Sequence, residues 1–174
     1  IFDDVRYTKG DWRNRNRIKT INGDASWLSV PTIGGRNQLI KDVKIDNSKP
    51  WIRQHLSAIK RNYGKTNYFD NYFEIISNID SKQFDFLSDL DIYLTKRISS
   101  CLGITTEFVI SSTIPNAGTK NDKLLKIVKY LEGDLYLSGP AAKAYIHHEF
   151  WEDAGVAVEY KDYSGYAEYQ QISD

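Results

Sequence analysis

The stretch Leu135–Tyr160, LYLSGPAAKAYIHHEFWEDAGVAVEY, decides the fold class. It opens on Leu135-Tyr136-Leu137-Ser138, turns at Gly139-Pro140 and continues as a helix from about Ala141 to Asp153. Gly155 stops that helix, and Val156-Ala157-Val158-Glu159-Tyr160 follows. Short apolar runs rich in β-branched and aromatic residues, set off by glycine, read as strands. A helix between two such strands is the crossover that parallel pairing needs, and crossovers of this kind are right-handed. Upstream, Glu107-Phe108-Val109-Ile110-Ser111 is another short apolar run. A polar loop through Pro115, Gly118 and Thr119 leads from it to Leu124, Ile127, Val128 and Leu131 at i, i+3, i+4, i+7 spacing, with Gly133 as the stop. The carboxyl-terminal half is therefore expected as strand, helix, strand, helix, strand. The fold class is α/β with a parallel sheet.

Working outward, the first half carries different signals. Ile1 to Val5 reads as the end of a buried strand running into Asp3 and Asp4. Ser26-Trp27-Leu28-Ser29-Val30 alternates and is stopped by Pro31, and Asp42 to Asp46 alternates after the Gly34-Gly35 turn. Ser48 suits an N-cap and Pro50 a first turn, with Trp51, Ile52, Leu56, Ile59 and Tyr63 at helical spacing before Gly64. Tyr68 to Ile79 reads as a buried helix. Ser81 can cap a third, whose stripe is Phe84, Leu87, Asp91, Leu94, Ile98 and Cys101, with Gly103 past its end. An inserted helical region is thus expected over about 48–102. Cys101 reads as a small core residue.

The chain has 174 residues, 23 basic and 23 acidic side chains, one cysteine and no methionine. That length suits a single domain, here residues 1–174, with a core that needs no staples. One cysteine excludes a disulfide framework. No apolar run approaches the roughly 20 residues of a membrane-spanning helix, and no secretory signal is present, so a cytoplasmic protein is expected. Starting at Ile1 without any methionine, the sequence reads as a fragment.

The zero net charge hides a gradient. Arg6, Lys9, Arg13, Arg15, Arg17 and Lys19 face one acid, Asp11, whereas seven acids follow from Glu149 onward against Lys161 alone. This places an anion site near the start, or else the two ends pair. Without a net basic excess, nucleic acid is a poor partner. Lys9 and the arginines suit phosphate, Asn14 and Asn16 offer paired donors and acceptors, and Trp12 or Trp27 can stack on a ring. If the run is extended, Asn14 and Asn16 share one face and Arg13, Arg15 and Arg17 the other. Asp3 and Asp4 suit a general base or Mg²⁺, or simply pair with these arginines. In a parallel sheet, ligands meet the carboxyl ends of strands, which singles out Asp3-Asp4, Ser111 and Ser138-Gly139. Lys120 beside Thr119 suits a phosphate at a helix start or is an ordinary solvated lysine. Adjacent His147 and His148 diverge by about 100° on a helix, which argues against a metal pair, and no metal site is expected. No serine elbow, P-loop, dinucleotide fingerprint or HExxH occurs.

The residues also carry a resemblance. Phe2-Asp3-Asp4-Val5-Arg6-Tyr7-Thr8-Lys9 followed by Trp12-Arg13-Asn14-Arg15-Asn16-Arg17-Ile18-Lys19 resembles the opening of the WbqC-like family. Trp27-Leu28-Ser29-Val30-Pro31, Ile45-Asp46 with Trp51, Tyr63-Gly64, Leu102-Gly103-Ile104, Ser111-Ser112, Tyr136-Leu137-Ser138-Gly139 and Lys161-Asp162-Tyr163 extend it in order along the chain. Gly10 stands where a basic residue is common in the family. The resemblance implies a further strand and helix with a Gln-Pro pair before Ile1, and a segment after Asp174. It also implies a nucleotidyltransferase-like doubly wound fold and a place in bacterial surface-polysaccharide (O-antigen type) synthesis. The activity it suggests is glycyl or acyl transfer to the amine of a nucleotide-linked amino sugar, with ATP/Mg²⁺ or an activated acyl donor. On that reading Asp3, Asp4 and Lys9 are catalytic. Trp12, Asn14, Arg15, Asn16, Lys19, Trp27, Ser111, Lys120, Ser138, Gly139 and Tyr163 bind substrate. A non-catalytic nucleotide-sugar or partner-binding protein, and a single-strand nucleic-acid binder, are the alternatives.

Overall fold

Alternation in the arginine-asparagine run is realised as a strand. β1 (Arg15–Lys19) pairs antiparallel with β2 (Ala25–Ser29), Arg15 opposite Ser29 and Lys19 opposite Ala25. The turn is closed by Thr20 N–H donating to the Asp24 carbonyl at 2.7 Å. A second antiparallel pair joins β3 (Thr32–Ile33) to β4 (Lys44–Ile45), shorter than the strand expected over 42–46. The computed structural model describes residues 1–35, 37–79, 82–115, 118 and 120–169. Ser81, expected as a cap, and Thr119, expected beside Lys120, lie outside them. The described residues form two compact units, 1–108 and Val109–Tyr169.

In the first unit the opening segment is not a strand. It runs beside 38–41 through Lys41 N–H to the Asp3 carbonyl (2.9 Å), Ile40 N–H to Val5 (3.0 Å) and Tyr7 N–H to Gln38 (2.9 Å). This seats Tyr7 in a core with Ile40, Val43, Ile45, Trp51, Ile79, Leu87 and Leu90. Tyr7 packs so closely on Gly35 (φ +111°) that a Cβ there would stand 2.8 Å from its ring. Only glycine meets both demands.

Three helices complete this unit: α1 (Trp51–Tyr63), α2 (Phe69–Ser77) and α3 (Leu87–Cys101). Ser48 is not the N-cap of α1, because the Asp46 carboxylate takes both the Ser48 amide and its hydroxyl, which leaves Pro50 at the cap. Gly103 ends α3 in the left-handed region, with Ile104 N–H to Ser99 and Gly103 N–H to Ser100 closing a Schellman motif. Cys101 is exposed rather than buried. Only the first turn of α3, at Leu87, Ser88 and Leu90, is fully covered, so the stripe runs out into solvent at its end.

The second unit holds the parallel pair: β5 (Leu135–Ser138) beside β6 (Ala157–Tyr160), in register from Leu135–Ala157 to Ser138–Tyr160. The fold is thus mixed α/β with small two-stranded sheets, one of them parallel. The strand expected over 107–111 does not form: residues 107–110 are irregular and the chain enters a 3-10 turn at Ser111–Thr113. The helix expected over 141–153 is broken into a 3-10 turn, Pro140–Ala144, and a short helix α5 (His148–Glu152). The break coincides with a cross-chain bond, as the Tyr145 carbonyl accepts the Asn121 side-chain amide from α4 (Lys120–Tyr130). The cap of α4 also differs from expectation. Glu132, not Gly133, holds the left-handed position (φ 57°), with Gly133 N–H returning to Val128 at 2.9 Å. An L-residue is strained there, and Glu132 is exposed. Glu132→Gly is accordingly expected to raise stability by about 0.5–1 kcal/mol, read from urea unfolding.

Candidate functional site

The hairpin and the helices of the first unit enclose a groove made of three adjoining cavities. The central one, about 480 Å³, runs from Trp12 to Ile18 along β1 and is closed by Ile52, His55 and Ile59 of α1 and Asp91 and Leu94 of α3. A neighbouring cavity of about 620 Å³ adds Asp3, Ser88, Thr95 and Ser99 and shares Trp12, Arg13, Asp91, Leu94 and Ile98 with the first. The third, about 320 Å³, continues past Ile18, Ile59 and Ile76 among Tyr63, Phe69, Tyr72 and Phe73. Its walls are apolar and aromatic. Charged side chains line only the first two.

Asp91 and His55 stand in the central cavity, and both are tuned by burial. Desolvation by the surrounding apolar wall pushes the Asp91 carboxyl up to about 7. Its position is a consequence of the helical repeat: Asp91 is four residues from Leu87 and three from Leu94, inside the apolar stripe of α3. His55 is likewise four residues from both Trp51 and Ile59 on α1. Its Nε2 lies 3.0 Å from the Ser29 carbonyl, which can only accept, so Nε2 carries the proton. Burial holds the imidazole below its usual range, an effect the Ser29 bond opposes. The ring is fixed edge-on against Trp51, centroids 5.4 Å apart. A neutral imidazole and a carboxyl that titrates near neutrality therefore face the same cavity. Neither residue stood out as a site candidate in the sequence; the available signal was a polar, titratable side chain inside an apolar helical stripe.

Of the residues expected to form the site, Asp3 is buried and lines the larger cavity, while Trp12, Asn14, Arg15 and Asn16 line the central one. Asn14 is engaged in holding the fold: its Oδ1 accepts the Gly10 amide (3.0 Å) and its Nδ2 donates to the Val30 carbonyl (3.1 Å). Arg13 is paired with Asp11 and stacks on the exposed Trp12, its Cζ 5.0 Å from the ring. Asp4 is half-buried and Lys9 exposed, and neither borders the groove. Lys19 donates its backbone amide to the Tyr63 hydroxyl at 2.9 Å. Trp27 lies on the hairpin under Arg15 and Arg17.

Ser111, Lys120, Ser138, Gly139 and Tyr163 belong to the second unit. Ser111 is buried, Lys120 and Tyr163 are exposed, and the Ser138 carbonyl accepts Lys161 N–H at 2.8 Å. Gly139 opens a 3-10 turn of five residues rather than the helix expected there, so the helix terminus that was to bind an anion does not form. Of the adjacent histidines, His148 contacts the Tyr160 hydroxyl through Nε2 at 3.0 Å. Among the described residues no helix is long and apolar enough to cross a membrane.

Comparison with known proteins places these features in a family. No solved structure matches the chain. It is 35% identical over 175 residues to "Uncharacterized protein Rv1507c" of Mycobacterium tuberculosis (strain ATCC 25618 / H37Rv), an alignment that covers 99% of this chain and 75% of that protein. The sequence pattern of the WbqC-like protein family matches residues 1–174. With every residue of the chain inside that match, the protein belongs to the WbqC-like protein family.

Proposed function

We propose that this protein is a group-transfer enzyme of bacterial surface-polysaccharide synthesis, which places an acyl or glycyl group on the amine of a nucleotide-linked amino sugar. The observation that carries the reading is Asp91, a carboxyl poised near neutrality on the wall shared by the two polar cavities. In the transfer, the amine nitrogen attacks the donor carbonyl carbon. The new N–C bond forms, the bond to the leaving group breaks and the leaving group keeps that electron pair. The proton released by the nitrogen goes to Asp91 Oδ. A carboxylate with this affinity for protons is a better base at neutral pH than an ordinary aspartate.

Around that centre, Arg13 meets the anionic part of the substrate at the cavity mouth and the exposed Trp12 packs on a sugar or base ring. Asp3 supports the larger cavity from its floor. The neutral His55 offers its second ring nitrogen as an acceptor for a substrate hydroxyl. The nucleotidyltransferase-like fold, carried by the family resemblance, and the roles of Asp4, Lys9 and the residues of the second unit, carried by the paired carboxylates, the basic run and the strand-end turns together with that resemblance, belong to the same proposal.

The test is incubation of the protein with nucleotide-linked amino sugars and acyl donors, each with and without ATP–Mg²⁺, followed by mass spectrometry. A product heavier by the acyl group, attached at nitrogen, is expected. Thermal stabilisation by a nucleotide sugar without any such product would replace this reading with a non-catalytic binding role.

A further inference from the structure

Alternation along β1 divides the hairpin into two faces. Ile18 and Leu28 lie on one face, and Arg15 and Arg17, which also border the groove, share the other with Trp27. Trp27 stands directly across from Arg17 in the ladder and is 52% exposed. The Arg15 Cζ lies 4.2 Å from the Trp27 ring centroid and the Arg17 Cζ 5.4 Å from it. Two guanidinium groups are thus oriented by one indole.

Their charges are uncompensated locally. Neither Arg15 nor Arg17 pairs with a carboxylate among the described residues. Arg15 is also confined from the other side, since a Cβ added at Gly10 would stand 3.8 Å from its Cζ. Its Nε is buried with no hydrogen-bond acceptor among the described residues. A buried donor left unpaired is costly, and more so on a charged group. An anion that supplies acceptors would relieve that cost.

We propose that Arg15, Trp27 and Arg17 form a binding site for a diphosphate ester where the hairpin borders the groove. Each guanidinium presents a planar fork that fits two oxygens of one phosphoryl group. Side chains two residues apart on a strand start about 6.6 Å apart, and the shared indole draws these two together. Linked phosphoryl groups satisfy both forks at once, while a monophosphate or a carboxylate satisfies one. The site adjoins the groove of the transfer reading but does not depend on that reading, since it is tested by binding alone.

The experiment is titration calorimetry on the full chain at low salt with uridine diphosphate, inorganic diphosphate, uridine monophosphate, citrate and a ten-residue oligothymidylate. Uridine diphosphate and inorganic diphosphate are expected to bind at least tenfold more tightly than the monophosphate or citrate. Arg15→Ala and Arg17→Ala should each lose at least tenfold. Trp27→Leu should lose a similar factor with every charge retained, and Arg15→Lys should fall between Arg15→Ala and the native chain while keeping the native melting curve. Equal binding of mono- and diphosphate would overturn the proposal. So would native affinity in Arg15→Ala, or tighter binding per phosphate by the oligothymidylate, which would assign the face to single-stranded nucleic acid.

Discussion

Asp91→Asn is expected to lower acyl transfer by roughly 10²–10⁴-fold, the range that removal of a positioned general base produces, while making the fold more stable at neutral pH. The two effects have one cause. Asp91 titrates at about 7 because the apolar wall around it disfavours its charge. Asparagine fills nearly the same volume and keeps an acceptor oxygen, but takes no proton and carries no charge. A buried carboxyl without a part in the reaction would show the change in the pH dependence of stability but not the rate loss.

The sign of the stability effect follows from linkage. In the unfolded chain Asp91 loses its proton near 3.8, and in the folded chain at about 7. Between those values the folded state holds a proton that the unfolded state has released, so stability falls as pH rises. The favourable contribution is complete below 3.8 and lost above 7. Every tenfold difference in proton affinity between the two states is worth about 1.4 kcal/mol. Because Asp91 keeps some solvent contact, the loss should be on the order of 2 kcal/mol. Urea unfolding at pH 5 and pH 8 reads it directly: the native chain loses stability between the two, and Asp91→Asn loses less. Parallel pH curves for both proteins would remove Asp91 from the role given to it. In the rate profile, activity should rise through a pKa near 7 as the carboxyl ionises.

How much of this could be read from residues alone varies with the range of the interactions involved. The helices at Trp51–Tyr63 and Leu87–Cys101 and the parallel partners Leu135–Ser138 and Ala157–Tyr160 were legible because a local period writes them. Asp91 was visible as a member of the α3 stripe, yet nothing local said that this stripe borders a cavity. The Glu107–Ser111 run has strand composition without a strand, because a ladder needs a partner that composition does not supply. The break after Ala144 coincides with a bond from Asn121, more than twenty residues away. In the basic run, the alternation of arginine and asparagine was readable, but its outcome was not. Only pairing with Ala25–Ser29 sets Trp27 beneath Arg15 and Arg17, turning a charged segment into an oriented pair of cations.

Trp151→Ala is expected to cost the second unit about 3–5 kcal/mol, the range for removing a large aromatic from a core. The side chain is fully buried and stacks on Tyr136 with centroids 4.8 Å apart. Around it lie Leu125, Ala142, Ile146 and Val156, so one ring joins α4, the 3-10 turn, α5 and the start of β6. Among the described residues no other aromatic belongs to the buried set of that core, and alanine would leave a cavity there. Trp151→Phe separates packing from polarity. The indole Nε1 is buried without a hydrogen-bond partner, a defect worth about 1–3 kcal/mol that phenylalanine removes. The smaller ring forfeits some contact but keeps the stack, so the two effects oppose each other and the net change should lie within about 1 kcal/mol. Urea unfolding of both variants checks the pair of values; a Trp151→Phe loss well above about 1 kcal/mol would mean that the orphaned indole N–H carries no penalty. The same variants bear on function. Asp91 and the three cavities lie wholly within residues 1–108, so if that unit carries the proton transfer alone, Trp151→Ala should retain turnover at temperatures where residues 109–169 have melted. Loss of turnover in Trp151→Ala but not in Trp151→Phe would instead require the second unit, and with it Ser111, Lys120, Ser138, Gly139 or Tyr163.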